Sequence, residues 1–503
     1  MRGGVLIAGT TSDAGKSMVT AGLCRLLARR GVRVAPFKAQ NMSNNSMVCP
    51  DGTEIGRAQW VQAVAAGATP ESAMNPVLLK PGSDRRSHVV LRGRPWGELG
   101  SANFHEGRQA LAEGARTALA ELRDRYDVVV CEGAGSPAEV NLREGDYVNM
   151  GLARAADLPV LLVGDIDRGG VLAALAGTVG LLDPADQRHV AGFLINKFRG
   201  DVDLLRPGLD TVAGVTGRPV LGVLPWLADV WLDSEDTLAG AAVTATIADP
   251  ASGDTTAGTL RVAAVRLPRV SNATDLDPLV AEPGVSVTFT TDPDTVAAAD
   301  LAVLPGTRAT VDDLDWLRRT GIARAVERRA EAGRPVLGVC GGCQMLTEKI
   351  DDGVESAAGR VPGLGLVPHS VRFTGDKTLR TPEGSWRGER VSGYEIHHGT
   401  VDGARPAEPF LPGGRHDAVW ATMWHGLLEN DGFRRRWLTE VAERAGVAWR
   451  PADAPGFAER RERMLDTLAD AIDTHVDTDA LDTLIDRGVP DGLPRLELTR
   501  HPG

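Results

Sequence analysis

A chain of 503 residues is too long for one ordinary domain; at roughly 100–200 residues each it has room for two to four. With 43% apolar and 24% charged residues it is an ordinary globular chain rather than a disordered one, and aromatics at 4% leave its cores to Ala, Val and Leu. A net charge of −12 argues against a general nucleic-acid or anionic-membrane binder.

The first 225 residues or so alternate β-branched runs with helical stretches. Strands are predicted at Val5–Ala8, Val32–Phe37, Asp127–Cys131, Val160–Gly164, Val190–Ile195 and Val220–Val223, with helices at Ser17–Arg29, Arg57–Ala66, Phe104–Arg123, Gly170–Leu181 and Val202–Val215. The strands read as continuous apolar runs, the mark of a parallel sheet covered on both faces. From about Asp233 to Thr259 the pattern breaks into Ala, Gly, Thr, Asp and Ser, so residues 233–259 read as a linker or an insertion between a first domain, 1–232, and a second, 260–448. The alternation restarts at Val262–Val265, Val285–Phe289, Leu301–Leu304 and Val336–Val339. Residues 449–503 read as a charged tail, helical around Phe457–Thr474, with no legible role. The fold class is therefore α/β, with two tandem α/β domains. The longest apolar runs, Leu158–Gly164 and Val171–Leu182, fall short of the ~20 residues of a spanning helix. Five cysteines form no disulfide framework and no signal peptide is visible, so a cytoplasmic, reducing location is expected.

Gly9-Thr-Thr-Ser-Asp-Ala-Gly15-Lys16-Ser17 follows a strand and opens a helix. Such a loop offers backbone N–H groups and a positive helix end to phosphate. Lys16 is placed to reach the terminal phosphates of ATP and Ser17 to ligate Mg²⁺. Thr10 stands where the first glycine of the ordinary phosphate loop falls, so Gly9 lies one residue earlier. This variant resembles the loop of the dethiobiotin synthetase family, whose members activate a carboxylate with ATP. Glu132 ends a predicted strand, where ligands of open α/β sheets bind, and is a second candidate for the metal. Asp165 and Asp167 end the next strand and read either as metal or phosphate ligands or as loop caps. Asn196, followed by Lys197, ends another strand and resembles a base-recognition position.

The polar run Lys38-Ala-Gln40-Asn41-Met-Ser43-Asn44-Asn-Ser46 is costly to bury unless something uses it. Lys38, Gln40, Asn41, Ser43 and Asn44, together with Arg57, are candidates for binding a substrate with many carboxylates and amides; Glu54 and Gln59 lie close by. Lys80, Arg85, Arg86, Arg92 and Arg94 read either as a cluster suited to a polyanion or as solvated surface.

In the second half, Val336-Leu-Gly-Val-Cys340-Gly341-Gly-Cys343 carries a strand into a tight turn and then a helix, the pattern of a nucleophile elbow. A helix end favours the thiolate, and flanking glycines let a substrate approach. Cys340 and Cys343 also read as a redox pair or as small buried hydrophobes; a zinc site lacks a second cysteine pair. Candidate bases are His425 and the pair His397–His398. Gly306, in Leu304-Pro-Gly306-Thr307, and Gly341 are candidates to supply oxyanion N–H donors.

Together these motifs, with Glu132-Gly-Ala-Gly-Ser-Pro-Ala-Glu-Val-Asn-Leu, Gly-Asp165-Ile-Asp-Arg-Gly-Gly and Trp-His425-Gly-Leu, closely resemble the cobyric acid synthase family from residue 3 to about 445. The resemblance implies a phosphate-loop synthetase domain like that of dethiobiotin synthetase, followed by a class I-type glutamine amidotransferase domain. It implies amidation of the b, d, e and g carboxylates of adenosylcobyrinic acid a,c-diamide, with ATP, Mg²⁺ and L-glutamine, through an acyl phosphate and glutamine-derived ammonia. It matches the nucleophile to Cys340 and the histidine to His425. Ordinary class I amidotransferases carry a glutamate two residues after that histidine; Leu427 stands there, so the third member is expected elsewhere. The alternatives are a cobyrinic acid a,c-diamide synthase, a cell-wall precursor amidase and a ParA/MinD-like nucleotide switch.

Overall fold

The computed structural model describes residues 1–83, 86–100, 104–228, 230–231, 244–245, 258–403, 410–411 and 413–497. They fall into two compact units. The first takes the described residues of Met1–Ser43, Cys49–Ser234 and Arg461–Gly503; the second takes those of Asn44–Val48 and Glu235–Arg460.

The first unit is built on parallel strands in the order Val220–Pro225, Val190–Phe198, Val160–Asp165, Gly3–Gly9, Val128–Glu132, Val34–Phe37. Val5, Leu6, Ile7 and Val128 to Val130 are all buried, which is why these strands show no polar alternation. Gly3–Gly9 is flanked on one side by Val128–Glu132 and on the other by Val160–Asp165. Later strands are added on both sides of it, so the crevice at its carboxyl end is a switch point of the topology. A separate small sheet, Gln40–Met42, Val77–Ser83, Arg86–Leu91 and Arg94–Gly100, takes in part of the polar run 38–46.

The residues after 449, expected as a tail, supply two helices, Phe457–His475 and Thr478–Arg487, and from Arg461 onward they belong to the first unit. Leu465, Leu468 and Ile472 share a core with Leu23, Leu26 and Leu27 of the Lys16–Arg29 helix. The approach is close: a Cβ on Gly22 would lie 2.8 Å from Ile472 Cδ1. Each fully buried leucine contributes ~1.5–3 kcal/mol. The flanking ion pairs, Arg25–Asp466 at 2.8 Å, Arg29–Asp470 at 2.7 Å and Arg30–Asp473 at 2.7 Å, are largely exposed and are worth ~1 kcal/mol each at most. Apolar packing, not the charge that dominates the sequence here, holds these helices.

In the second unit the described residues form a sheet in the order Thr244–Ala245, Val285–Thr290, Leu260–Val265, Leu301–Leu304, Val336–Val339, Val419–Thr422, Gly413–His416, parallel except at its two edges. The expected linker, 233–259, lies mostly outside the described residues; its Thr244–Ala245 pairs as an edge strand with Val285–Thr290. A second sheet, Gly359–Pro362, Thr347–Asp352, Val367–Arg380 and Glu395–Gly403, follows the turn at Cys340. No helix among the described residues is long and apolar enough to cross a membrane.

Candidate functional site

The phosphate loop has the expected strand-to-helix form. Gly15 precedes the Lys16–Arg29 helix at φ 98°, and a Cβ there would fall 2.0 Å from Asn196 Nδ2, so only glycine fits. Asn196 Nδ2 donates to the Ala14 carbonyl at 3.0 Å, which places Asn196 beside the loop. A Cβ on Gly9 would sit 2.8 Å from the Thr11 carbonyl. The Thr10 N–H donates to the Val163 carbonyl at 2.9 Å, tying the loop to the neighbouring strand. Lys16 Nζ donates to the carbonyls of Thr11 and Ser12 at 3.0 Å and of Gly135 at 3.2 Å.

Glu132 is buried at the end of its strand. Its Oε1 accepts from Ser17 Oγ at 2.7 Å and from Lys38 Nζ at 3.0 Å; its Oε2 accepts from Gln62 Nε2 at 2.5 Å. Burial pushes this carboxyl's pKa up, but Lys38, Gln62 and Ser17 outweigh burial and hold it below the ordinary carboxylate value. Ser17 and Glu132 therefore come together as hard oxygen donors, and among the described residues no three His, Cys, Asp or Glu side chains gather elsewhere into a metal site. Asp165 and Asp167 are engaged otherwise. Asp165 accepts from Lys197 at 2.7 Å and caps the Asp167 N–H, and Asp167 pairs with Arg199 at 2.9 Å.

The polar run divides. Lys38 to Ser43 lie in the first unit and Asn44 in the second. Asn41 and Gln59, both buried, bond to each other at 2.9 Å, yet Asn41 Oδ1 and Gln59 Nε2 are left without partners, as is Gln62 Oε1. Unpaired buried amides are rare and need a reason; a ligand supplies one. Gln40 Oε1 accepts from the Tyr147 hydroxyl. Arg57 is buried with its guanidinium 5.0 Å from the Trp60 ring centroid. The basic run does not gather as a free patch: Lys80 pairs with Glu54 in the interior and Arg92 pairs with Glu121 at 2.6 Å. Arg94 is exposed, Arg85 lies outside the described residues, and the Arg86 side chain is likewise not described.

In the second unit Cys340 sits between the Val336–Val339 strand and the Gly341–Leu346 helix at φ 49°, ψ −109°. A non-glycine residue held there costs ~1–3 kcal/mol, and such strain concentrates where a side chain must be presented. His425, not His397 or His398, is the histidine hydrogen-bonded to Cys340. His397 Nε2 instead meets Glu395 at 3.3 Å. His425 Nδ1 donates to Asp275 Oδ2 at 2.7 Å, which leaves Nε2 for the sulfur, while the Gly426 N–H donates to Asp275 Oδ1 at 2.8 Å. The Tyr394 ring stacks on the imidazole with centroids 5.2 Å apart. Burial alone would lower the pKa of His425; the Asp275 carboxylate and Cys340 outweigh it and push it up to about 10. Cys343 is buried, and burial pushes its thiol far above the ordinary value, as befits packing rather than redox chemistry.

Asp275 is the member that sequence reasoning missed. It lies in the short helical turn Ala273–Leu276, in the loop that follows the Leu260–Val265 strand. Nothing in the sequence around it marked it. Two asparagines fix this turn. Asn272 Oδ1 accepts the Ser46 N–H at 2.8 Å, and Asn45 Oδ1 accepts the Ala273 N–H at 3.2 Å. The Gly306 loop closes the other side: a Cβ on Gly306 would lie 3.0 Å from His425 Cε1, and its carbonyl accepts the Ser271 N–H at 2.8 Å. Gly341 opens the Gly341–Leu346 helix, where first-turn N–H groups have no intrahelical acceptor. The arrangement is that of a base-activated nucleophile oriented by a third residue.

Comparison with known proteins agrees with both halves. Residues 5–238 match the CobQ/CobB/MinD/ParA nucleotide binding domain, and residues 261–433 match the CobB/CobQ-like glutamine amidotransferase domain. The chain is 58% identical to a cobyric acid synthase of Cutibacterium acnes over 95% of this chain and 99% of that one. It is 58% identical to one of Streptomyces avermitilis over 98% of each chain, and 57% identical to one of Mycobacterium marinum over 98% of this chain and 99% of that one.

Proposed function

The chain belongs to the cobyric acid synthase family, a family of glutamine-hydrolysing ligases, and from that premise we propose that it amidates the b, d, e and g carboxylates of adenosylcobyrinic acid a,c-diamide with ATP and glutamine. The observation that supports this most is the full length of the similarity, which spans the phosphate loop and the thiol site alike.

In this reading Cys340 attacks the side-chain amide carbon of glutamine. His425, oriented by Asp275, passes a proton to the leaving ammonia and then takes one from the water that releases glutamate from the thioester. The N–H groups near Gly306 and at Gly341 face the tetrahedral oxyanions. In the first unit the loop Gly9–Ser17, with Asn196 beside it, binds the nucleotide, and Lys16 steadies its terminal phosphates. Ser17 and Glu132 would hold a magnesium ion, which when bound neutralises phosphate charge there. A substrate carboxylate takes the γ-phosphoryl group, which turns a poor leaving group into phosphate, and ammonia displaces it. Lys38, Gln40, Asn41, Ser43, Asn44 and Arg57 are assigned to the corrinoid, and the unpaired amides of Asn41 and Gln59 support a ligand rich in carboxyl and amide arms. A cytoplasmic site of action accords with five free thiols.

The direct test incubates the purified protein with ATP, Mg²⁺, glutamine and either the a,c-diamide or cobyrinic acid itself. Stepwise amidation of the diamide at its b, d, e and g positions is expected. Turnover of cobyrinic acid only, or ATP-dependent dimerisation with no amidation of either, would favour the diamide-synthase or nucleotide-switch alternative.

Asp275→Asn should keep the shape of the thiol site and remove its charge. Glutamine hydrolysis is expected to fall on the order of 10²–10⁴ in kcat. Without the carboxylate that raises it, the His425 pKa falls, so the basic limb of the pH profile should move to lower pH. An unchanged kcat and an unmoved limb would remove Asp275 from the mechanism.

A further inference from the structure

Behind the Gly306 loop, the first turn of the Thr310–Thr320 helix carries a buried polar cluster that the mechanism above does not use. Asp313 is 2% exposed, and its Oδ2 accepts from Thr307 Oγ1 at 2.5 Å and from the Arg269 N–H at 3.2 Å. Thr307 Oγ1 also lies 3.0 Å from the Arg269 carbonyl and accepts the Ala309 N–H at 3.1 Å. In the same turn Thr310 Oγ1 donates to Gln344 Oε1 at 2.9 Å, and the Gln344 N–H donates to the Cys340 carbonyl at 2.9 Å. Thr307 is seated directly on the nucleophile turn: a Cβ on Gly341 would lie 2.6 Å from Thr307 Cγ2 and 2.9 Å from its backbone nitrogen.

We propose that Thr307 and Asp313 are a positioning pair for glutamine hydrolysis, holding the Gly306–Thr307 backbone against Gly341 so that the oxyanion donors stay aligned. The inference rests on Cys340 being the nucleophile. A buried acid is expensive unless its bonds are used, and this one grips two adjoining loops, at Arg269 after the Leu260–Val265 strand and at Thr307 after the Leu301–Leu304 strand. The charged groups around it are Arg269, which favours the carboxylate, and Asp312, which opposes it. Burial outweighs the bonds from Thr307 and Arg269 and pushes the Asp313 carboxyl up to about 6. Above that pH both bonds end on a carboxylate and are charge-assisted; below it the group is neutral and the grip weakens. Activity supported by the pair is therefore lost as pH falls through about 6.

Steady-state glutamine hydrolysis by full-length Thr307→Ser, Thr307→Val, Asp313→Asn and Asp313→Ala tests the pair, with ammonium-dependent amidation and the thermal midpoint reporting folding. Loss of a whole oxyanion donor costs about 10²–10³ in rate, so a loosened loop in Thr307→Val and Asp313→Ala should lose about 10–100-fold in kcat with KM for glutamine little changed. Thr307→Ser should restore the wild-type kcat. Asp313→Asn, which keeps an acceptor but cannot ionise, should lose the acid limb near pH 6. Wild-type kcat in Asp313→Ala, a loss confined to KM, or an acid limb that persists in Asp313→Asn would overturn the proposal. If Cys340→Ala itself still hydrolyses glutamine, the assignment of the nucleophile fails first; if that variant is dead while the pair's variants are normal, only the pairing fails.

Discussion

Cys340→Ala is expected to abolish glutamine-dependent amidation, a loss on the order of 10⁴–10⁶ in kcat, while amidation from added ammonium salts continues. The asymmetry follows from the division of labour. In the proposed mechanism the sulfur serves only to release nitrogen from glutamine, and free ammonia bypasses that step. The residual rate should rise with pH as the ammonia fraction of the salt grows. Alanine suits the position because it fits the φ 49° backbone no worse than cysteine does, so the turn should survive. Parallel assays with glutamine and with ammonium chloride decide the matter. Equal losses in both would mean that the thiol serves the synthetase reaction or the fold, and an unchanged glutamine rate would end its role as nucleophile.

Lys16→Ala is expected to abolish both reactions, because neither nitrogen source can react with a carboxylate that has not been phosphorylated. The buried ammonium has no substitute in the loop. Its three carbonyl contacts, to Thr11, Ser12 and Gly135, hold it beside the segment that follows Glu132. Placing charge on transferring phosphate is most of what a protein contributes to such a step, so a loss of at least ~10² is expected. Three carbonyls lose a donor, and stability should fall by about 1–3 kcal/mol. Glutamine hydrolysis without amidation should persist. Ammonium-dependent amidation near the wild-type rate would show that this lysine is not part of phosphoryl transfer.

Much of this was legible because chemistry had imposed unusual residues on simple geometry. The run from Gly9 to Ser17 and the turn at Cys340 announce themselves by glycines placed where a backbone must bend or be approached, and Glu132 by its place at the end of an apolar strand. Asp275 was not legible. It lies 150 residues before the histidine that it orients, in a turn with no motif, and only folding brings the two together. The Asp313 cluster was hidden for the same reason, since an acid in a helix's first turn normally reads as a solvated end. The small sheets were missed because their strands are short and carry polar residues, as at Gln40–Met42, where no apolar alternation marks them. The first terminal helix, expected around Phe457–Thr474, stands at Phe457–His475; its place in the core and the helix Thr478–Arg487 were missed because arginines and aspartates drew attention away from a stripe containing Leu465, Leu468 and Ile472.

Those terminal helices bear on how the polypeptide is made. The Lys16–Arg29 helix leaves the ribosome long before the partners of its Leu23, Leu26 and Leu27, which lie beyond residue 460. Nucleotide chemistry cannot be carved off as an N-terminal fragment, since a stop codon after the first sheet would expose an oily helix face. Nascent chains must keep that face from sticking to its neighbours until the residues beyond 460 are made.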